Sequence, residues 1–375
     1  MYYFDYNGEK VSLLGMGCMR LPSDSEGNVD TEEAINTIRE GIDGGITYLD
    51  TAYMYHGGYS ERILGQALKD GYREKVLVAD KMPPWFAKKK EDLEVIFNKQ
   101  LERLDIDTID IYLIHDIHGS TWELVKEYGV LEFMEQKRAE GKIRYIGFSF
   151  HDDYDLFEEV INAYPWDVCQ IQYNYVDVDF QAGRRGLELA RSKGIPVIIM
   201  EPMKGGKLAG GLPADIDPLW ERMSASRPPV DWGFAWVANQ PGILTILSGM
   251  SSREQLRYNM NLFDSLAPGC LSEADNLVLE DISSKFRELT EYDCTACKYC
   301  MPCPLEINIP KIIDLYNQLA LFENKEPIYD GYNWVAPHFA STCVACKKCE
   351  SICPQKLPVS EIMKKASLAF DGKEI

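Results

Sequence analysis

Through roughly its first 260 residues the chain repeats one unit: a short aliphatic or β-branched run, a loop, then a stretch of helical period. This alternation constrains the fold strongly, because a parallel strand returns to its sheet only through a crossover, usually helical. Strands are expected near residues 14–18, 47–50, 76–81, 109–115, 143–149, 168–173, 197–201 and 244–248, after a hairpin over 2–13 turned by Asn7-Gly8. Helices are expected between them at 31–41, 91–104, 156–163, 186–193 and 253–262. The first is opened by Asp30-x-x-Glu33 and closed by Gly44-Gly45. Eight strand–helix units of this α/β kind give a TIM (β/α)8 barrel. The rival, an open doubly wound sheet, lacks a G-x-G-x-x-G after its first strand.

Eight of the eleven cysteines stand in two later runs, Cys294-x2-Cys297-x2-Cys300-x2-Cys303-Pro304 and Cys343-x2-Cys346-x2-Cys349-x3-Cys353-Pro354. Thiolates bind soft iron, two intervening residues let three sulfurs converge on one cluster, and the cysteine before proline usually reaches across to the other cluster. The spacing therefore predicts two 4Fe-4S clusters with these eight cysteines as ligands. The second run matches the bacterial ferredoxin pattern in full; the first is one residue short before Cys303. Disulfides are the rival reading, but they favour small secreted domains, and Met1-Tyr2-Tyr3-Phe4-Asp5 has no signal-peptide pattern. Zinc also takes paired C-x-x-C units, yet two four-cysteine runs each closed by proline fit ferredoxin better. Cys18, Cys169 and Cys270 stand alone and read as buried, inert thiols.

Pro268-Gly269 breaks the barrel pattern, Ser272 caps a helix over 273–289, and a further helix over 310–322 has proline in its first turn. The expected organisation is a barrel over 1–265, a helical linker over 266–290 and a mainly helical, ferredoxin-like domain over 291–375. With 375 residues, 46% of them hydrophobic, the chain can bury one large core and one small one. Its net charge of -20 repels phosphate backbones, which argues against nucleic acid or an anionic membrane surface as partner. No uncharged apolar stretch reaches about 18 residues, so no membrane span is expected. Reduced thiols and intact clusters suit a cytoplasmic setting.

In a TIM barrel the chemistry gathers at the C-terminal ends of the strands. Asp50, Lys81 and His115 close the second, third and fourth predicted strands, and Tyr55 lies five residues beyond Asp50. Successive units bring all four to one rim. A cation beside a tyrosine favours the phenolate, lowering the phenol toward a range where it donates a proton and recovers it. Asp50 would keep the lysine charged and placed, and His115 would orient a substrate oxygen. Hydride arriving at a carbonyl carbon while Tyr55 protonates the oxygen suits this set. Singly, each residue reads as a strand-end cap, a solvated charge or a surface aromatic; together at one rim they favour chemistry. His115-Asp116-Ile117-His118 alone is too small a ligand set for a metal.

Gly45-Ile-Thr-Tyr-Leu-Asp-Thr-Ala-Tyr-Met-Tyr55, Ser60-Glu61, Lys81, Asp110-Ile-Tyr-Leu-Ile-His115 and Ile146-Gly-Phe-Ser149 resemble the aldo-keto reductase family, over residues 1–262. The resemblance implies a catalytic tetrad at Asp50, Tyr55, Lys81 and His115, with NADP(H) or NAD(H) at the barrel mouth. It places Ser149 and Gln170 at the carboxamide and Met200 where an aromatic commonly stacks on the nicotinamide. Gly249, Ser251, Arg253, Gln255 and Asn259 fall near the adenosine end. Two departures stand out. Phe150 and His151 follow Ser149 where Asn is common, and the basic pair that commonly grips the ribose 2'-phosphate is incomplete, with Gly249 and Gln255 in its places. Arg253 or Arg257 would substitute, because a guanidinium suits a phosphate, which leans the choice toward NADPH.

Hydride transfer from a nicotinamide needs no iron–sulfur cluster. Three readings follow: an NAD(P)H-dependent reductase of a small carbonyl or alcohol substrate with structural or regulatory clusters; a ferredoxin-linked oxidoreductase exchanging electrons with a ferredoxin-like carrier; and a non-enzymatic nucleotide-binding redox sensor. Clusters pass single electrons and nicotinamide passes pairs, so a direct relay calls for a flavin; a barrel mouth has room for FMN, but no flavin motif marks it. The first reading is favoured as the chemistry and the second as the reason for the fusion. Specificity is expected in loops 83–90, 116–128 and 204–227, where Trp85, Phe86, Trp122 and Trp220 are candidate pocket aromatics.

Overall fold

The computed structural model describes residues 1–24, 28–210, 214–295, 297–321, 325–333 and 335–372. The chain forms two compact units, Met1–Pro202 with Gly233–Leu271, and Met203–Trp232 with Ser272–Ile375.

In the first unit Asn7 and Gly8 take φ of 54° and 86°, the conformation a two-residue hairpin turn demands, and join β1 (Tyr3–Tyr6) to β2 (Glu9–Ser12). Eight strands follow: β3 (Leu14–Gly17), β4 (Tyr48–Asp50), β5 (Leu77–Met82), β6 (Ile109–Ile117), β7 (Ile143–Phe150), β8 (Val168–Gln172), β9 (Val197–Met200) and β10 (Ile243–Ser248). They pair in parallel and close into a barrel in the order β10-β3-β4-β5-β6-β7-β8-β9, as expected. Tyr48, Leu77, Ala79, Ile111, Leu113, Val168 and Ile198 fill the interior, and Tyr6 and Val11 of the hairpin join that cluster. Gly147 allows β7 its close approach to β8, since a Cβ there would stand 2.5 Å from the Val168 carbonyl oxygen. The predicted caps also form: the Asp30 side chain accepts from the Glu33 N–H at 3.0 Å and opens helix Thr31–Asp43.

The second unit is helical, with Glu273–Leu289, Ile309–Leu321, Glu326–Asn333, Lys348–Ser351 and Val359–Ala366. Ile309, Ile312, Ile313, Ile362 and Met363 form its core, and Cys294, Cys300, Cys303, Cys343, Cys349 and Cys353 pack against that core. Residues 203–232, between β9 and β10 in sequence, group with the helical unit and with its helix Glu273–Leu289. The physical reason is a set of polar ties. The Ser224 N–H and hydroxyl both donate to Asp275 at 2.9 Å, Arg222 pairs with Asp281 at 2.8 Å, and buried Lys204 pairs with Asp293 at 3.2 Å. Residues 211–213 of the predicted specificity loop and Phe322 of the predicted helix lie outside the described residues. Among the described residues no helix is long and apolar enough to cross a membrane.

Candidate active site and cysteine centre

Parallel register sets the rim. Asp50 is the last residue of β4 and pairs with Ala79 of β5; two residues on, Lys81 pairs with Leu113 of β6, which continues to His115. Tyr55 begins a short helical turn, Tyr55–Gly58, whose His56, Gly57 and Gly58 take positive φ and fold the loop back. The Lys81 ammonium donates to Asp50 Oδ1 at 2.6 Å and to the Thr51 carbonyl at 2.7 Å, and stands 3.5 Å from the Tyr55 hydroxyl. His115 meets the Tyr55 ring edge-on at 5.9 Å. All four tetrad candidates are thus together.

Burial disfavours the charge on Lys81, but Asp50 and then Tyr55 outweigh it and hold the ammonium above its ordinary range. Burial raises Asp50, against the pull of the same lysine. His115 is held well below the ordinary imidazole range, first by burial and then by Lys81 and His151, so it is neutral near pH 7. Tyr55 corrects one expectation. Lys81 does favour its phenolate, but desolvation at the hydroxyl is larger and pushes the phenol up to about 12. The resting phenol therefore holds its proton at neutral pH.

Ser149 and Gln170 are register partners on β7 and β8. Ser149 Oγ accepts from the Asp116 N–H at 2.9 Å, while Gln170 Oε1 is buried and has no hydrogen-bond partner among the described residues. An orphaned amide oxygen at a barrel rim fits a carboxamide N–H, so the residues present suit a nicotinamide. Met200 ends β9 and is half-buried. Gly249 follows β10; the Ser251 N–H donates to Gln255 Oε1 at 3.0 Å, and the Asn259 amide donates to Ser248 Oγ at 3.1 Å. Arg253 and Arg257 both pair with Glu40, Arg253 at 2.5 Å.

Sequence reasoning missed three neighbours. Glu201, one residue past β9, acts electrostatically on Tyr55 and pairs with Arg20 at 3.5 Å; its place at a strand end was the available signal. The Thr51 carbonyl and Glu40 had no signal at all. Of the predicted loop aromatics, Trp85 reaches the site, its ring 5.3 Å from His115. Trp122 is buried and donates its indole N–H to Glu159 at 2.6 Å, so it packs a helix instead. Both His118 ring nitrogens face hydroxyls, those of Ser120 and Thr121. A cleft lined by Thr47, Leu77, Asp110 and Arg144 lies at the opposite ends of the strands, where Arg73 and Arg144 both close on Asp110 at 2.7 and 2.9 Å.

In the second unit Cys294, Cys297, Cys300 and Cys353 line one cavity with Ile309, Ile313, Leu357 and Val359. Cys343 lies within electrostatic reach of Cys303 and Cys346, and Cys349 within reach of Cys343. Cys353 thus lies with the first triplet, Cys303 is within electrostatic reach of Cys343, and Cys300 and Cys349 are within reach of each other. Among the described residues no three His, Cys, Asp or Glu side chains are grouped to hold a single metal ion. Soft thiolates around an apolar cavity fit iron–sulfur clusters. Cys18 and Cys169 are buried as expected, but Cys270 is exposed, because it lies in the turn after the last barrel helix.

Residues 13–268 match the aldo/keto reductase family, and residues 293–357 match a 4Fe-4S dicluster domain, which implies two clusters. The chain is 27% identical over 322 residues to the NADH-specific methylglyoxal reductase of Escherichia coli (strain K12), covering 73% of this chain and 95% of that protein. It is 30% identical over 273 residues to L-galactose dehydrogenase of Arabidopsis thaliana, covering 68% and 84%. An aldo/keto reductase from Klebsiella pneumoniae, solved in complex with NADP and acetate, superposes with a TM-score of 0.60 at 26% identity, over 74% of this chain and 93% of that one. The holo form of an aldo-keto reductase from Bacillus halodurans, at TM-score 0.64 and 24% identity over 75% and 96%, has the same fold. Barrel, rim and matched residues agree, and the chain belongs to the aldo/keto reductase family, oxidoreductases acting on carbonyl and alcohol groups, here joined to a 4Fe-4S dicluster domain.

Proposed function

We propose that the barrel reduces a small carbonyl substrate with a nicotinamide dinucleotide and that Tyr55 is the proton donor. One observation carries the reading: the Lys81 ammonium lies between the Asp50 carboxylate and the Tyr55 hydroxyl, with His115 against the same ring. Bound NAD(P)H would supply the hydride. Tyr55, protonated at neutral pH, gives its proton to the substrate oxygen, and Lys81 favours the phenolate left behind. Asp50 keeps the ammonium charged and placed. His115, neutral, donates a ring N–H to the same oxygen without adding a competing charge. Gln170, beside Ser149, receives the carboxamide.

The dinucleotide preference we assign to Glu40. Its carboxylate already engages Arg253 and Arg257, the guanidiniums that would otherwise grip a ribose 2'-phosphate, which favours NADH over the NADPH expected from those arginines alone. The Escherichia coli relative is named NADH-specific, while the Klebsiella pneumoniae structure holds NADP. In the second unit Cys294, Cys297, Cys300 and Cys353 are assigned to one cluster and Cys303, Cys343, Cys346 and Cys349 to the other; such clusters supply single-electron steps. Exchange with a ferredoxin-like carrier is a second reading, favoured by the exposure of Cys346 between exposed Val344 and Ile352.

Anaerobic protein assayed with an aldehyde panel and either dinucleotide tests the main reading. Tyr55→Phe is expected to lower kcat by about 10²–10⁴-fold, the usual contribution of a placed general acid. Unchanged turnover would remove Tyr55 from the role. Turnover that needs reduced ferredoxin or dithionite supports the second reading.

A further inference from the structure

We propose that Lys204 and Lys207 are positioning residues for the cluster assigned to Cys294, Cys297, Cys300 and Cys353, holding positive charge beside it and raising its reduction potential. The inference rests on that cysteine assignment and is independent of the role given to Tyr55.

Both lysines come directly after β9 in sequence, yet they belong to the cysteine-bearing unit. The Lys204 side chain is 0% exposed, and its ammonium lies 3.2 Å from Asp293, the residue before Cys294. Its backbone is held in an unusual way: Lys204, Gly205 and Gly206 take φ of 48°, 72° and 97° in succession. A lysine in the left-handed region is uncommon, and such a conformation persists where the surroundings over-determine it. The turn is fixed by the Gly206 and Leu208 N–H groups, both donating to the Met203 carbonyl at 2.9 and 3.2 Å. Lys207 follows within that turn; burial lowers its ammonium from the ordinary lysine range, and Lys204 adds to that, against the pull of Cys294, Asp314 and Asp293.

An ammonium buried in this way is costly unless negative charge surrounds it. Asp293 and Asp314 supply part of that charge, and the thiolates of the cluster supply more. Reduction adds one electron, hence one further negative charge, so fixed cations nearby stabilise the reduced form more than the oxidised one. Net charge and hydrogen bonding around the sulfurs are among the settings of an iron–sulfur potential.

The test is a potentiometric titration of the full chain, purified anaerobically, with dithionite as one-electron donor and EPR as readout, in the absence of dinucleotide and substrate. Lys207→Gln is expected to move one of the two midpoints to more negative potential, lowering its reduced-to-oxidised ratio at fixed potential about tenfold, about 59 mV for one electron. The other midpoint shifts less, iron and sulfide content stay unchanged, and Lys207→Arg restores the original value. Lys204→Met moves the same midpoint in the same direction. Unchanged midpoints at full iron content would overturn the proposal. So would an equal shift in Lys207→Arg, or loss of iron in both Lys207 variants, which would assign these lysines to packing alone.

Discussion

Removing the Lys81 cation while leaving Asp50 in place breaks a buried ion pair at the rim. The two side chains are 1% and 4% exposed and 2.6 Å apart, so water screens them little and the small values of exposed ion pairs do not apply. Breaking a buried pair from one side leaves an uncompensated charge, a loss of about 3–5 kcal/mol. Lys81→Met keeps most of the stem volume, so nearly all of the loss is electrostatic. The sign of its pH dependence follows from Asp50. Burial already raises this carboxyl, and without Lys81 the folded state holds its proton more tightly than the unfolded chain does. Stability of the variant therefore falls as pH rises above the unfolded carboxylate range, and the defect is larger at pH 8 than at pH 5.5. Asp50→Asn combined with Lys81→Met removes the orphaned charge and loses less than the two single changes added together, by about 1–3 kcal/mol. Urea unfolding under argon, followed by circular dichroism and tryptophan fluorescence, gives these numbers if the m-values agree. A Lys81→Met barrel within about 1 kcal/mol of the parent at pH 8, or strict additivity in the double variant, would refute the buried-pair reasoning.

Three further outcomes are expected. Because Tyr55 sits at about 12 and His115 well below the imidazole range, kcat/KM for carbonyl reduction is flat between about pH 8 and 10. Alcohol oxidation, which needs the phenolate, rises about tenfold per pH unit over the same window; a plateau there contradicts the assigned base. Glu40→Gln is expected to raise affinity for NADPH relative to NADH in a nicotinamide fluorescence titration, and an unchanged ratio removes Glu40 from dinucleotide choice. Pairing Cys297→Ala with Cys353→Ala should cost no more iron than either alone, about four atoms per chain, whereas Cys297→Ala with Cys303→Ala should cost about eight. The reverse pattern refutes the crosswise assignment.

The barrel was legible because its evidence is local. A run such as Ile109-Asp-Ile-Tyr-Leu-Ile-His115 is aliphatic enough to be buried on both faces and short enough to be a strand, and its polar last residue falls where a parallel barrel opens. The order of such runs then places Asp50, Lys81 and His115 on one rim without knowledge of any contact. Burial of the Tyr55 hydroxyl depends on everything around it, so charge alone predicted the direction of Lys81's influence but not the net result. Glu40 was invisible for the same reason: its arginine partner Arg253 lies 213 residues away.

The cysteines divide along the same line. A C-x2-C-x2-C triplet fixes three vertices of a cluster by spacing alone, so both triplets could be read directly. The fourth vertex is a tertiary choice, and the shortened spacing before Cys303 left it open. In the folded chain the core bears on it. Leu357 and Val359, which follow Cys353 closely, pack with Ile309 and Ile313, and those residues wall the cavity of Cys294, Cys297 and Cys300. Burying that apolar stretch sets Cys353 at the cavity of the first triplet, while Cys303 lies within electrostatic reach of Cys343. Hydrophobic packing thus agrees with the crosswise reach that the Cys-Pro pattern predicts for Cys353. Replacing Leu357 with a charged residue should therefore disturb the first cluster before the second, although Leu357 is not itself a ligand.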